Sequence, residues 1–350
     1  MMKKVFSILI ILIMAFSLVS CGSTPSDTTS QSGDEAEPEG PVIGFSIDSF
    51  LIERWQRDSD VFVAKVKECD PEAEVYIQNA NGDLETQKEQ IRYLISKKVD
   101  VLVVICIDSD KLSDVVTEAK SAGIPVIAYD RLINNADVDL YISFDNEQVG
   151  ELMGQALVDS GLPNKKVLML SGAEEDHNVS MVDAGFKKIM EENDIEIVDT
   201  FHASGWRAEA ASEYLNENFD ILTDVDAIMC GNDNIATSVI RTLSERRLAG
   251  KIKIVGQDAD LEGCQRVVEG TQVMTVYKPV EKRAQSAAEY AVRLAKGEDL
   301  SEVQDELDDG TYQVPYVYLT PIAVTKDNID ETIIDSGFHL RDEVYLNVVD

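Results

Sequence analysis

Polar and aromatic side chains that suit a hydroxylated ligand recur where predicted β-strands end. Asp130 and Arg131 stand side by side after the apolar residues 125–128, a run typical of a buried parallel strand. Open α/β sheets bind ligands at the carboxyl ends of their strands. A carboxylate only accepts hydrogen bonds and a guanidinium only donates them, so the pair suits adjacent hydroxyl groups. An ion pair that caps a neighbouring helix is an equally supported interpretation of this stretch alone.

Residues of the same kinds follow other predicted strands. They are Arg54, Trp55, Asn178, Trp206, Asn232, Asp258 and Lys278. Taken singly, each is more often a helix cap or a loop residue than a ligand group. Because they occupy matching ends of strands in two similar halves of the chain, we expect a binding cleft between the halves.

The chemistry of this set suits a sugar. Trp55 and Trp206 are the only two tryptophans, and indole rings can cover the apolar faces of a pyranose. The carboxylates of the set accept hydrogen bonds from hydroxyl groups, the arginines and the lysine donate them, and the asparagines do both. Because burial of an unpaired charge is costly, we expect these side chains also to bond to one another.

Motifs for nucleotides, covalent catalysis and metals are absent from the sequence. It has no G-x-G-x-x-G, Walker A, G-x-S-x-G or H-E-x-x-H motif. No two of its three histidines have metal-ligand spacing, and the acidic residues 305–310 lack the ligands of a calcium loop. We therefore predict no metal and no cofactor. A pair of carboxylates is enough for glycoside hydrolysis, so a glycosidase is not excluded.

Composition indicates a folded protein with two domains of ordinary size. The chain has 350 residues, of which 44% are hydrophobic and 27% charged. Its formal net charge of −34 argues against a nucleic-acid partner, because phosphates need a positive surface. Four cysteines follow Cys21, all widely scattered, and they suggest neither a zinc site nor a disulfide framework. Cys106 and Cys230 end apolar runs, so we predict that both are buried.

The N-terminus has the pattern of an export signal. Residues 1–4 are basic, residues 5–19 are apolar, and residues 18–22 (LVSCG) resemble a bacterial lipobox. The lipobox predicts a signal peptide at 1–20 and a lipidated Cys21, followed by a disordered tether that ends at residue 41. An uncleaved membrane anchor is the alternative, although the apolar run is short for a membrane span.

From residue 42 onward, strands and amphipathic helices alternate about every 25–30 residues, which is the signature of βαβ units. A first set of units ends near residue 144, and a second set of similar design follows. The sequence therefore predicts an α/β fold of two similar lobes, each a parallel sheet flanked by helices. We expect the polar tail at 341–350 to be loose.

Six stretches resemble the D-xylose-binding proteins of bacterial ABC importers, which belong to the ribose/galactose-type (type I) periplasmic binding proteins. The stretches are IDSFLIERWQRD (47–58), QNANGDLETQ (78–87), AYDRLIN (128–134), YISFDNEQVGEL (141–152), GQDADL (256–261) and MTVYKP (274–279). The resemblance runs from about residue 42 to residue 339.

The resemblance implies two lobes joined by a three-crossover hinge that close on a monosaccharide. It implies an N-terminal lobe of residues 42–144 plus 278–314 and a C-terminal lobe of residues 145–277 plus 315–340. The sugar ligands of the family carry over onto Arg54, Trp55, Asp130, Arg131, Asn178, Trp206, Asn232, Asp258 and Lys278.

We therefore expect a monomeric lipoprotein that captures D-xylose or a closely related monosaccharide and delivers it to an ABC permease. It would be extracytoplasmic, either on the outer face of the cytoplasmic membrane or in the periplasm, and would not be an enzyme. A sugar-sensing ectodomain that signals to a chemoreceptor or histidine kinase is the main alternative. A repressor with the same fold would need a basic helix-turn-helix where the export signal stands.

Overall fold

Two β-sheets organise the protein, for which we have a computed structural model that describes residues 40–50 and 53–348, apart from the side chains of residues 53 and 54. The predicted signal peptide, Cys21 and most of the tether lie outside this range. The first sheet is built mainly from the first part of the chain. Its elements are β1 (Val42–Ile47), α1 (Glu53–Cys69), β2 (Glu74–Asn79), α2 (Leu84–Ser96), β3 (Val101–Val104), α3 (Ser113–Ser121), β4 (Val126–Tyr129) and β5 (Leu140–Phe144).

The second sheet is built from the middle of the chain. Its elements are α4 (Asn146–Ser160), β6 (Lys166–Ser171), α5 (His177–Glu192), β7 (Glu196–His202), α6 (Ala208–Glu217), β8 (Ala227–Cys230), α7 (Asp233–Glu245), β9 (Lys253–Gln257), α8 (Leu261–Glu269) and β10 (Met274–Tyr277). We call the first sheet with its helices the first lobe, and the second sheet with its helices the second lobe.

The rest of the chain returns to both lobes. Its elements are α9 (Val280–Ala295), β11 (Glu306–Asp308), β12 (Gln313–Leu319), β13 (Ile322–Val324) and α10 (Arg341–Val344). The strand order is β11-β12-β5-β4-β3-β1-β2 in the first sheet and β13-β10-β9-β8-β6-β7 in the second. The α/β architecture of two similar lobes is therefore confirmed. Each sheet also has one antiparallel edge strand, β11 or β13, which the sequence did not reveal.

The chain passes between the lobes three times. It leaves the first sheet after β5, returns after β10 to place α9 against α1, and leaves again between β12 and β13. The last passage was predicted at residues 314/315, but β12 pairs with β5 as far as Leu319. That boundary is thus corrected to the residues after Leu319. Pro315 lies within β12, opposite the edge strand β11, where a strand tolerates proline.

Burial and helix capping explain why these residues form these elements. The strands β1, β3, β4 and β5 are buried along their whole length, since helices cover both faces of the sheet. Asp83 begins α2 by accepting a hydrogen bond from the backbone N–H of Thr86, and Asp145 begins α4 in the same way. Cys106 and Cys230 are fully buried, as predicted. These two capped helices thus begin shortly after the strands that precede them.

The C-terminal tail is packed rather than loose over its described part. The helix α10 contacts α8, and Val344 is buried in a small cluster with Ile333 and Val267. The prediction failed because it took the tail as polar, whereas residues 341–350 hold five apolar side chains beside five polar ones. In residues 40–50 and 53–348, no helix is both long enough and apolar enough to cross a membrane.

Candidate functional site

A cavity of about 40 Å³ lies between the two lobes, at the carboxyl ends of their strands. Six of the nine predicted sugar-binding residues line it: Arg131, Asn178, Trp206, Asn232, Asp258 and Lys278. Five of them come from loops that follow β4, β7, β8, β9 and β10, and Asn178 lies in the first turn of α5, after the loop that follows β6. The parallel strands bring these loops to one edge of each sheet, and the two edges face each other across the cavity.

Arg131 connects the two lobes through buried ion pairs. Its NH1 group lies 2.8 Å from Oδ2 of Asp48 in the first lobe and donates to the backbone oxygen of Cys106 at 2.9 Å. Its Nε atom lies 2.9 Å from Oδ2 of Asp176 in the second lobe. Burial alone would lower the pKa of Arg131, but the carboxylates of Asp176 and Asp48 raise it overall. The guanidinium is therefore a permanent cation in the wall of the cavity.

Asp130 bonds to Arg283 and not to its neighbour Arg131. The Asp130 carboxylate forms an ion pair with the NH1 group of Arg283, a residue of α9 that is fully buried. Its backbone oxygen accepts hydrogen bonds from Ser143 Oγ at 2.7 Å and from Asn178 Nδ2 at 2.8 Å. Asp130 is buried beside the cavity without lining it. Its contact with a sugar stays a prediction.

Asn178 holds the lobes together. Its Nδ2 group donates to the backbone oxygen of Asp130, and its Oδ1 atom accepts a hydrogen bond from the hydroxyl group of Tyr141 at 2.9 Å. Both partners belong to the first lobe, whereas Asn178 lies in the first turn of α5 in the second. Both polar groups of the side chain therefore contribute to contacts between the lobes.

Asp258 and Lys278 form the charged pair on the second-lobe side of the cavity. The Lys278 ammonium lies 2.7 Å from Oδ1 of Asp258 and 3.0 Å from Oε1 of Gln257. Gln257 in turn donates to the backbone oxygen of Gly231 at 2.6 Å. The pair presents one acceptor and one donor of hydrogen bonds to the cavity, which matches the needs of neighbouring hydroxyl groups.

Trp206 supplies the aromatic surface of the cavity. Its Nε1 group donates to Oδ2 of Asp176 at 3.3 Å, and the ring lies so close to Gly172 that a Cβ atom there would stand 2.3 Å from it. Gly172 is therefore required for the position of the ring.

Asn232 begins α7 as its cap, with Oδ1 accepting from the backbone N–H of Ile235 at 2.8 Å. Asn232 is thus a helix cap that also lines the cavity.

Trp55 does not line the cavity in this structure, and its contact with a sugar stays a prediction. Its ring is fully buried in the core of the first lobe, where the guanidinium groups of Arg131 and Arg283 each lie 5.7 Å from the ring centre. The physical reason is that α1 packs directly on the first sheet, which draws its apolar side chains inward. The side chain of Arg54 lies outside the described residues.

Three predicted site residues have a backbone conformation that side chains seldom adopt. Asp130, Trp206 and Asp258 have positive φ angles of 67°, 58° and 95°. Such conformations cost free energy and persist where surrounding contacts hold them, which is common at ligand sites.

Sequence reasoning missed several residues of the cleft, among them Asp176, Asn146, Gln257 and Arg283. Asp176 caps α5 two residues before Asn178, which was found, and Gln257 directly precedes Asp258, which was also found. Arg283 carries no local signal, because its partners are distant in the sequence. Among the residues that the structure describes, no group of three or more histidine, cysteine or acidic side chains could hold a metal ion.

The chain belongs to the periplasmic binding protein family. The family model for the periplasmic binding protein domain matches residues 43–299. Membership of this family indicates a location outside the cytoplasm. The family resemblance predicted from the sequence is therefore confirmed.

Two relatives and two solved structures place the chain more closely within that family. It is 44% identical to the D-xylose-binding periplasmic protein of Haemophilus influenzae, over 87% of this chain and 92% of that protein. It is 43% identical to the D-xylose-binding periplasmic protein of Escherichia coli, over 86% and 92%. The fold matches an ABC transporter solute-binding protein from Clostridium phytofermentans with bound β-D-glucose (TM-score 0.77, 26% identity, 87% of this chain and 99% of that one). It also matches a carbohydrate transporter solute-binding protein from Chloroflexus aurantiacus in complex with D-glucose (TM-score 0.78, 25% identity, 86% and 97%).

Proposed function

We propose that this protein captures D-xylose, or a closely related monosaccharide, between its lobes and delivers it to an ABC permease. One observation carries the proposal: charged donors and acceptors from both lobes converge on a single cavity beside the aromatic ring of Trp206. Two relatives of more than 40% identity that are named as D-xylose-binding proteins support this choice of sugar.

Closure of the lobes is the proposed mechanism. Arg131 from the first lobe and Asp258 and Lys278 from the second lie on the same cavity, so a sugar bound there contacts both lobes at once. Such a ligand binds the closed form more tightly than the open form and shifts the population toward it. The three passages of chain between the lobes act as the hinge. A permease then distinguishes loaded from empty protein by the surface that the closed form presents.

We infer that the protein binds its sugar without chemical change. Glycoside hydrolysis requires one carboxyl group as acid and a second as nucleophile or base. Here Asp258 faces the ammonium of Lys278, and Asp130 faces the guanidinium of Arg283. A carboxylate that faces a cation stays ionised. These two carboxylates are therefore better suited to accept hydrogen bonds from a sugar than to act as an acid and a nucleophile. The curated relatives are named as binding proteins as well.

A thermal-shift panel tests the choice of sugar. A ligand that binds only the folded state raises the melting temperature in proportion to the logarithm of its concentration over its Kd. We expect the largest rise with D-xylose and smaller rises with D-ribose, L-arabinose, D-glucose and D-galactose at equal concentration. The Asp258→Ala variant serves as the control, since it should lose the rise. A larger shift with any of the other four sugars would refute the assignment of D-xylose.

We also propose that Cys21 carries a lipid that anchors the protein to the membrane. The support is the LVSCG sequence at residues 18–22, which follows an apolar segment. Labelling of expressing cells with a radioactive fatty acid should mark the wild-type protein and leave Cys21→Ala unlabelled. Cys69→Ala is the matched control, because Cys69 is an exposed free cysteine of the folded domain. Equal labelling of the wild type and Cys21→Ala would contradict the proposal.

A further inference from the structure

We propose that Arg283 is a positioning residue of the cleft: its buried guanidinium fixes the carboxylate of Asp130 and the ring of Trp55 for the sugar. The inference rests on the proposed function, because it takes both residues as contacts of the sugar. Arg283 lies more than 150 residues beyond Asp130 in the chain and is fully buried beneath the first-lobe side of the cleft.

Arg283 joins two carboxylates of the first lobe. Its NH2 group donates to Oδ2 of Asp58 at 2.9 Å, and its NH1 group pairs with Asp130. The other oxygen of Asp58 accepts a hydrogen bond from the hydroxyl group of Tyr129 at 2.6 Å. Asp58 is thus held from two sides and acts as the fixed end of this arrangement, while Asp130 lies toward the cleft.

Aromatic rings surround the same guanidinium. Its central carbon lies 4.6 Å from the ring centre of Tyr129, 5.0 Å from that of Phe144 and 5.7 Å from that of Trp55. Cations are attracted to the faces of aromatic rings, and more strongly where water is excluded. A single side chain therefore contacts two of the predicted first-lobe sugar contacts, Asp130 and Trp55.

The charges of this arrangement favour a role in the site over a role in stability alone. One guanidinium faces the two buried carboxylates of Asp58 and Asp130, and a buried ion pair on its own is weak evidence for stability. Asp58 alone would balance the charge of the guanidinium. The second carboxylate adds a buried charge beside the cleft, in a residue whose φ angle of 67° is itself costly.

The path of the chain explains how Arg283 reaches this position. The helix α9 begins directly after the passage from the second lobe at Lys278, which lines the cavity. Five residues later, Arg283 lies inside the first lobe, beneath the cleft. The returning segment thus supplies Lys278 to the cavity and Arg283 to the ion pair with Asp130 beside it.

A double-mutant cycle with sugar affinity as the readout tests this role. Arg283→Lys keeps a cation but loses the planar fork that reaches two carboxylates. We expect its Kd for D-xylose to rise about tenfold, the size of one lost charged hydrogen bond. In the Asp130→Asn background, the same change should raise the Kd by no more than about twofold, because the group that Arg283 positions is already altered.

A matched buried arginine provides the control. Arg266 of the second lobe is also buried, and it bonds to Gln272 and Thr237 away from Asp130. Arg266→Lys should lower the melting temperature without changing the affinity for D-xylose by more than about twofold. The proposal is overturned if Arg283→Lys binds D-xylose with the Kd of the wild type. It is also overturned if the fold-change in Kd of the double variant equals the product of the fold-changes of Arg283→Lys and Asp130→Asn.

A second variant keeps the test decisive if Arg283→Lys does not fold. Asp58→Asn removes the fixed end but leaves Arg283 in place, so we expect a higher Kd for D-xylose than in the wild type. In the Asp130→Asn background, Asp58→Asn should leave the Kd nearly unchanged. Full additivity would overturn the proposal. If the wild type binds D-glucose and not D-xylose, the assigned sugar is wrong and the cycle is measured with D-glucose, so the two failures are distinct.

Discussion

Arg131 and Asp176 form an ion pair between the lobes, with 2.9 Å between Nε and Oδ2 and with about 95% of each side chain buried. The same carboxylate accepts hydrogen bonds from the indole of Trp206 and from the backbone N–H of Asn178. One side chain that was not predicted therefore holds three residues that were. The contact couples the arrangement of the cavity to the closure of the lobes.

Asp176→Asn should weaken sugar binding because it removes the charge that Arg131 faces across the cleft. The amide oxygen can still cap α5, but the NH2 group would face other hydrogen-bond donors, such as the guanidinium of Arg131 and the indole N–H of Trp206. Loss of one charged hydrogen bond costs about 1.5–3 kcal/mol, so we expect a Kd about 10- to 100-fold higher. Calorimetric titration with D-xylose measures it.

Asp327→Asn is the control for that variant, because Asp327 is an exposed aspartate in the segment after β13. It should bind as the wild type does. An unchanged affinity of Asp176→Asn would show that the contact between the lobes makes no contribution to binding.

Asp258→Ala should reduce affinity more than it reduces stability. The change removes an acceptor from the cavity and leaves the ammonium of Lys278 with Gln257 as its neutral partner. We expect affinity to fall by at least about 100-fold, since an unpaired buried charge adds to the lost contact. Calorimetry and a thermal melt of the same sample separate the two effects. A fall in melting temperature with unchanged affinity would contradict the assignment of Asp258 to the site.

Trp206 should report on binding through its fluorescence. In the Trp55→Phe variant it is the only tryptophan, and its ring lines the cavity. A sugar that stacks on the ring changes its surroundings, so the emission should shift as D-xylose is added and saturate at the calorimetric Kd. Emission that stays constant while calorimetry shows binding would place the sugar away from Trp206.

Local patterns account for what the sequence predicted. Continuous apolar runs such as β1 and β4 indicate buried strands on their own, and a cap such as Asp145 indicates where its helix begins. The positions of the loops after those strands then followed from the geometry of parallel sheets, which is why six of the fourteen residues that line the cavity were found.

Contacts between residues far apart in the chain account for what the sequence-based prediction missed. No spacing in the sequence indicates that Asp130 faces Arg283 or that Arg131 faces Asp176, because these contacts depend on how helices and lobes pack. The side chain of Trp55 illustrates the same limit. Its place after the first strand was predicted, but its burial beneath the cleft depends on the packing of α1.

Asp233 should make stability depend on pH in a defined window. Burial raises the pKa of this carboxyl group from 3.8 to about 6, although Arg266, Thr275 and Gln272 oppose the rise. Between those values the folded protein keeps a proton that the unfolded chain has released. The contribution of Asp233 to the free energy of unfolding therefore falls as the pH rises from about 4 to about 6.

Urea unfolding of the wild type and of Asp233→Asn at several pH values checks this direction. The variant lacks the titrating group, so the free energy of unfolding of the wild type should decline relative to that of the variant across this window. A difference between the two proteins that stays constant, or that changes in the opposite direction, would show that burial does not raise the pKa of Asp233.

The most direct test of the account is a calorimetric titration of the purified wild-type protein with D-xylose. The arrangement of donors, acceptors and Trp206 around one cavity predicts saturable binding of one sugar per protein, with a Kd of about 1 μM or below, equivalent to at least about 8 kcal/mol. Absence of heat at millimolar D-xylose, with a clear one-to-one isotherm for a different monosaccharide, would contradict it.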